Sequence, residues 1–403
     1  MSFRYPKGGF ITAFYDPLQV PNAPTGVSAS AGDAQATVSF TAPTNVGGGA
    51  ITGYGAAAVK TSDGTTLTNT GASSPITVTG LTNGSAYTMN VWAINSFGPS
   101  PFGTSGSVTP AAPRGLFGGG LTQPSGTDTN IISYITISTT GNATDFGDLT
   151  VARRDFQACS SSTRGIFWGG EGAAIYNVID YVTIATAGDA VDFGDLLQAL
   201  YGNAACSSST RGVSAGGATS GGTINVIQYI TIATTGNSTD FGDLLAASYR
   251  FTGCASTTRG VFGGGPFSPV TNVIQYITIA TTGNATDFGD LLSAVRSTAS
   301  CSNSTRGIFA GGNTGSGSQN VIQYITIATT GNSIDFGDLL ANNELFGGCA
   351  STIRGVFGGG SASGGTNVIQ YITIETLGNA ASFGDLTVRT DYATACSNAH
   401  GGL

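Results

Sequence analysis

The sequence predicts an all-β chain: a β-sandwich followed by a six-bladed β-propeller that its own C-terminal strand closes. Three observations predict it. Glycine is the outlier of the composition, with 63 of 403 residues, while Leu, Ile, Val and Phe stay plentiful. That is about twice the usual glycine content, and glycines between short apolar runs mean tight turns between many short strands. One unit then recurs six times, opened by Arg114, Arg164, Arg211, Arg259, Arg306 and Arg354 at spacings of 50, 47, 48, 47 and 48 residues. Each unit breaks into four strand-like pieces, which matches a propeller blade and not a helical solenoid of 3.6-residue period.

Residues 1–20 are too short for a domain yet hold Phe3, Tyr5, Phe10, Phe14 and Tyr15. Two readings are open. The segment packs on the sandwich that follows, or it is an anchor that docks into a partner, for instance by strand addition. Its apolar residues are interrupted by Pro6, Gly8 and Gly9, so no secretory signal is expected.

Residues 21–110 read as a sandwich. Strand-like runs include Ala36-Thr-Val-Ser-Phe40, residues 51–59 and Tyr87-Thr-Met-Asn-Val-Trp-Ala-Ile94, with turn signals between them. The stretch Val78-Thr-Gly-Leu-Thr-Asn-Gly-Ser-Ala-Tyr87 resembles the corner of fibronectin type III domains. The resemblance implies that the Tyr87 hydroxyl ties back to the preceding turn and that Phe40 takes the place of the family's first-sheet tryptophan. Residues 99–113, rich in Pro, Ser, Gly and Ala, are expected to be a hinge.

Residues 111–403 carry the repeats. After each Arg-Gly step comes a short apolar stretch and a glycine pair, then a segment such as Asn225-Val-Ile-Gln-Tyr-Ile-Thr-Ile232. A turn such as Thr235-Gly236-Asn237 leads to a segment such as Asp240-Phe-Gly-Asp-Leu244, and a less regular link ends on a cysteine. Ile, Val, Tyr and Thr favour strands. In the second unit the strands are expected at Cys159-Ser-Ser-Ser, Gly165-Ile-Phe-Trp-Gly-Gly170, residues 178–184 and around residues 192–196. The third is apolar on both faces, as a sheet stacked between two others requires. The glycine pair, the strand aromatic and the repeat length resemble kelch motifs over residues 114–403, with phenylalanine, as at Phe241, where kelch has tryptophan.

The ends of the array suggest closure. Five residues before Arg114 a cysteine is due, but Thr109 stands there, followed by Pro110 and Pro113. Proline cannot serve a central ladder. A surplus copy, Ala395-Cys-Ser-Asn-Ala-His400, ends the chain. It is expected to supply the missing innermost strand and remove the free edges.

Several chemistries are set aside. The net charge is −8 and only Lys7 and Lys60 are lysines, so no nucleic-acid partner is expected. No apolar run nears the roughly 20 residues that span a bilayer, so no membrane insertion is expected. His400 is the only histidine, too few for a kelch-type copper oxidase, and it makes a Ser-His-Asp catalytic set improbable. The six cysteines, Cys159, Cys206, Cys254, Cys301, Cys349 and Cys396, recur every 47 or 48 residues. They read as small residues of a crowded inner strand, with free thiols that suit a reducing cytosol. The Asp-Phe-Gly-Asp segments hold eleven of the 22 acidic residues. They suit calcium in principle, but capping of turns and pairing with the six repeat arginines explain them better. No cofactor is expected.

Function is expected where the copies differ. The loop between the second and third strands varies, as does the link from the fourth strand to the next first strand, and both fall on one face. The links carry Arg153, Arg154, Phe156, Tyr201, Tyr249, Arg250, Phe251, Arg296, Phe346, Arg389 and Tyr392. Tyr and Arg are favoured at interface hot spots, so these residues are candidates for partner binding. Tyr249, Arg250 and Phe251 are expected to be removable together without loss of stability. The near-identical repeats and the aromatic N-terminus resemble structural proteins of tailed phages, particularly cyanophages. That resemblance implies a non-enzymatic virion protein, assembled in the host cytoplasm. It would sit on a fibre, tail or capsid surface, hold other virion proteins through its N-terminal segment, and present the propeller to a partner or a host-surface glycan or protein. The alternatives are a bacterial kelch-type interaction scaffold and, behind it, a carbohydrate-active enzyme.

Overall fold

The computed structural model describes residues 18–265, 269–362 and 364–403. Among them every helix or strand assigned is a strand. Phe3, Tyr5, Phe10, Phe14 and Tyr15, the expected anchor, lie outside the described residues. The chain divides into two compact units between Ala112 and Pro113.

The first unit contains β1 (Thr25–Gly32), β2 (Gln35–Thr41), β3 (Gly53–Lys60), β4 (Thr66–Gly71), β5 (Ile76–Thr79), β6 (Tyr87–Asn95), β7 (Gly98–Pro99) and β8 (Gly103–Val108). One sheet runs β1-β2-β5; the other runs β4-β3-β6-β7, with β8 also on β6. Along β6 burial alternates residue by residue, the period of a half-buried strand. Tyr87, Met89, Val91 and Ala93 thereby enter a core that both sheets share. The Thr82 N–H donates to the Tyr87 hydroxyl at 3.0 Å, the tie the sequence anticipates. Phe40 is buried and meets Tyr54 with ring centroids 4.9 Å apart. The expected hinge is shorter than residues 99–113, because Gly103–Val108 pairs with β6. Without that strand β6 would leave an open edge.

The second unit holds six four-stranded antiparallel sheets. In the second, Gln157–Ser160, Arg164–Trp168, Val178–Thr183 and Val191–Asp195 pair in that order. The third, fourth, fifth and sixth sheets repeat this plan along the chain. The first sheet takes its innermost strand from the far end: Thr394–Ser397 pairs with Arg114–Gly118, placing Cys396 opposite Leu116. An apolar cluster fills the space between each consecutive pair of sheets, and another joins the sixth to the first through Val356, Ile369 and Phe383 against Phe117, Ile135 and Ile137.

The repeated motifs turn out to be the fittings between neighbouring sheets. The Gly236 N–H donates to the Phe193 carbonyl at 2.8 Å and the Ser238 N–H to the Asp195 carbonyl at 2.8 Å. Asn237 Oδ1 accepts from the Asp195 N–H at 3.0 Å. Each turn thus latches onto the outer strand of the preceding sheet, and Asn142 does the same for Asp385 of the sixth sheet. The fit is close enough to demand glycine: a Cβ on Gly194 would lie 2.5 Å from the Gly236 carbonyl oxygen. The glutamine of the third strand bridges the same junction, as when Gln228 accepts from the Leu197 N–H at 2.9 Å.

The repeat arginines do not pair with the Asp-Phe-Gly-Asp carboxylates as expected. Each donates to carbonyls just past the third strand of the next sheet, from Arg114 onto Ile184 to Arg354 onto Ile137 of the first sheet. Each also lies over the tyrosine of its own third strand, with Arg211 4.3 Å from the Tyr229 centroid. Among the described residues only Arg306 of the six adds a carboxylate, Glu375 at 3.5 Å. The stacked guanidinium is already aimed across the junction, whereas Asp145, Asp192, Asp240, Asp287 and Asp335 stand out in solvent.

The thiols are fittings too. A Cβ on Gly212 would lie 2.9 Å from Cys159 Sγ, and the five other Arg-Gly glycines face a thiol in the same way. All six cysteines are buried and free. Burial pushes Cys159 and Cys254 up to about 12, so neither is a thiolate at neutral pH.

Candidate functional site

The links and the loops between second and third strands come together, as bridges join Arg154 to Glu171, Tyr201 to Ala218 and Arg296 to Asn313. At the centre of this link face stand six equivalent residues, Asp155, Gly202, Arg250, Ser297, Leu345 and Tyr392, one from each link. All have left-handed backbone, with φ between 53° and 65°. They are chained by backbone bonds: each N–H from Gly202 to Tyr392 donates to the preceding member's carbonyl at 2.7 to 3.1 Å. For a side chain other than glycine that conformation costs about 1–3 kcal/mol, and such strain gathers at functional sites.

The ring surrounds the mouth of a pit. One residue deeper come Phe156, Asn203, Phe251, Thr298, Phe346 and Ala393, alternately large and small. Here the structure corrects the sequence reading. Phe156, Phe251 and Phe346 are buried and lie on Phe167, Phe262 and Phe357 at centroid distances of 6.1 to 6.4 Å. They fill the spaces above Gly119, Gly216 and Gly311 of the preceding sheets and cannot meet a partner. Arg153 is also fully buried, held by Asp180 at 2.8 Å, which stands where the third to sixth sheets have glutamine. Removing Tyr249, Arg250 and Phe251 together would therefore open the core and leave Asp155 without its cation.

Five predicted residues do converge. Arg250 reaches Asp155 with Nε at 2.9 Å and Nη2 at 2.8 Å, and its guanidinium lies 5.3 Å from the Tyr392 centroid and 5.8 Å from that of Tyr249. Tyr249 meets Tyr201 edge to face at 6.4 Å. Arg154 pairs with Asp128 at 2.6 Å and Glu171 at 3.3 Å. Burial pushes the Asp155 carboxyl up while Arg250 pulls against it; Tyr392 is raised chiefly by burial. The result is a half-buried tyrosine and arginine platform beside the pit. Arg389 stands apart, bound to the Gly365 carbonyl at 3.1 Å through Nε, and Arg296 belongs to the next link. Asp155 is a site residue that the sequence reading missed, although the residue next to Arg154 and Phe156 was in plain view.

Gln157 and Phe346 also line a second, narrow cavity of about 60 Å³ between the inner strands. Residues 400–403 close its other side. His400 Nε2 donates to the Ser160 carbonyl at 3.0 Å, the Gly402 N–H donates to His400 Nδ1 at 3.1 Å, and the Gly401 N–H donates to the Ser302 carbonyl at 2.9 Å. The one histidine is a structural bolt. Among the described residues no group of three or more His, Cys, Asp or Glu is placed to hold a metal.

Residues 22–109 match the fibronectin type III domain. This fibronectin type III domain lies within the first unit and holds the Tyr87 tie and the Phe40 core position described above. No curated protein matches the chain in sequence.

Proposed function

We propose that residues 113–403 form a closed, kelch-like six-bladed propeller, and that the chain is a non-enzymatic virion adhesion protein of a tailed phage. In this reading residues 1–20 attach it to other virion proteins, and the link face meets a host-surface glycan or protein. The observation that carries the reading is the platform of Tyr201, Tyr249, Tyr392, Arg154 and Arg250. It gathers hot-spot residue types at the one place where the six near-identical sheets differ most. Ring closure is supported by the pairing of Thr394–Ser397 with the first sheet and by the apolar cluster between sixth and first sheets. A non-catalytic role is supported by the engagement of the usual catalytic groups in packing: the thiols under glycines, His400 in the bolt, Asp155 in an ion pair.

The test is mass spectrometry of purified particles together with adhesion of the labelled protein to host cells. The chain should be a particle component. Replacing Tyr201 and Tyr249 with alanine should weaken adhesion roughly tenfold or more, as loss of hot-spot side chains does, with the fold intact. Absence from particles, or adhesion indifferent to both tyrosines, would overturn the reading.

A further inference from the structure

We infer that the axial pit of the link face is a subsite for the edge of one neutral sugar residue. This deepens the adhesion reading and rests on it. The pit offers about 30 Å³, room for about two water-sized groups. It therefore admits the hydroxyl-bearing edge of a ring and leaves the ring face at the lip.

Its walls say what that edge must be. Asn203 and Thr298 line the pit and are buried. Asn203 gives Nδ2 to Ser214 at 2.9 Å, which leaves its Oδ1 without a partner among the described residues; Thr298 Oγ1 is likewise without one. Buried polar atoms left unmade cost stability, and both sit where the left-handed ring already stores strain. A ligand group entering the pit would supply the missing hydrogen bonds. The amide oxygen only accepts, so the ligand must bring a donor, and the threonine hydroxyl can then accept or donate in turn. A hydroxyl does both.

Charge narrows the class further. The ion pair of Asp155 and Arg250 leaves no free cation at the mouth, and the carboxylate disfavours an acidic ligand. Ser297, beside them in the lining, adds another neutral hydroxyl. At the lip stands the half-buried Tyr392 ring, with the Arg250 guanidinium over one face of it; the rest of the ring gives an apolar surface for the C–H face of a sugar. Neutral hydroxyls on one edge and an apolar face together describe a neutral pyranose.

The experiment is ligand-observed NMR on the full chain. Its probes are glucose, galactose, mannose and N-acetylglucosamine, with glucuronate as the acidic counterpart. It is run on the parent, Thr298→Val and Tyr392→Ala, and paired with the host-cell adhesion assay. At least one neutral sugar should bind, glucuronate more weakly. Each variant should weaken binding roughly tenfold, the usual effect of one lost contact of this kind. The melting temperature of Thr298→Val should equal or exceed that of the parent, because an unpartnered buried hydroxyl has gone. Adhesion that persists while no neutral sugar binds, or sugar binding that ignores both variants, overturns the subsite and leaves the adhesion reading standing. Loss of both adhesion and sugar binding in the parent overturns the two together.

Discussion

His400 shows how one residue can be chemically suggestive and structurally occupied. Its ring donates from Nε2 and accepts at Nδ1, so only the neutral imidazole satisfies both contacts. Burial accordingly pushes its pKa below the usual range. A base with a depressed folded-state pKa binds its proton more weakly in the folded state than in the unfolded chain. Its stabilising contribution is complete above the unfolded value of about 6.5 and is lost as pH falls through the lower folded value. Stability to denaturant should therefore decline as pH drops from neutrality toward 5, and His400→Gln should flatten that decline. An identical pH profile for the variant would rule out the bolt. At this scale the sequence was only partly legible. Tyr87 and Phe40 sit in recognisable surroundings, and both do what those surroundings imply. Phe251 and Phe346 do not advertise their burial, because the links have no period from which inside and outside can be read. The clue lay in comparing equivalent positions, where Phe156, Asn203, Phe251, Thr298, Phe346 and Ala393 alternate large and small.

At the scale of the element, strands were visible because each carries β-branched and aromatic residues between glycines. Their partners were less so. The Asp-Phe-Gly-Asp segment reads as a possible cation site or an arginine partner, yet what it offers is its backbone. A latch made of main chain leaves only an indirect trace in sequence: a glycine where the neighbour comes close and an asparagine where a side chain must cap an N–H. Asn284, which accepts from the Asp243 N–H at 3.0 Å, should cost about 1 kcal/mol when changed to alanine, the usual worth of one hydrogen bond. Gly242→Ala should cost more, since its Cβ would lie 2.5 Å from the Gly283 carbonyl oxygen. Chemical denaturation of the two variants checks the order; a harmless Gly242→Ala would show that the turns do not bear on the outer strands.

Across the whole of residues 113–403 the six sheets are not six equal copies but three pairs. Phe156, Phe251 and Phe346 fill the junctions of the first with the second sheet, the third with the fourth and the fifth with the sixth. At the alternate junctions Ser207, Ser302 and Ser397 donate to the carbonyls of Ser160, Ala255 and Ala350 at 2.6 to 2.8 Å. The repeat of about 48 residues hides this longer period, because the strands that carry it are nearly the same in both kinds of sheet. The pairing of the last strand with the first sheet was more legible: prolines stand where an inner strand is due, and the surplus cysteine copy at the far end supplies it. The central claim is that this copy, Thr394–Ser397, holds the first sheet to the sixth. Hydrogen exchange at the Leu116 and Gly118 amides, which face Thr394–Ser397, compared between the full chain and one lacking residues 393–403, tests it most directly. The account predicts slow exchange there in the full chain and, in the shortened one, the fast exchange of amides on an exposed edge. Equal protection of Leu116 and Gly118 in both chains would contradict it.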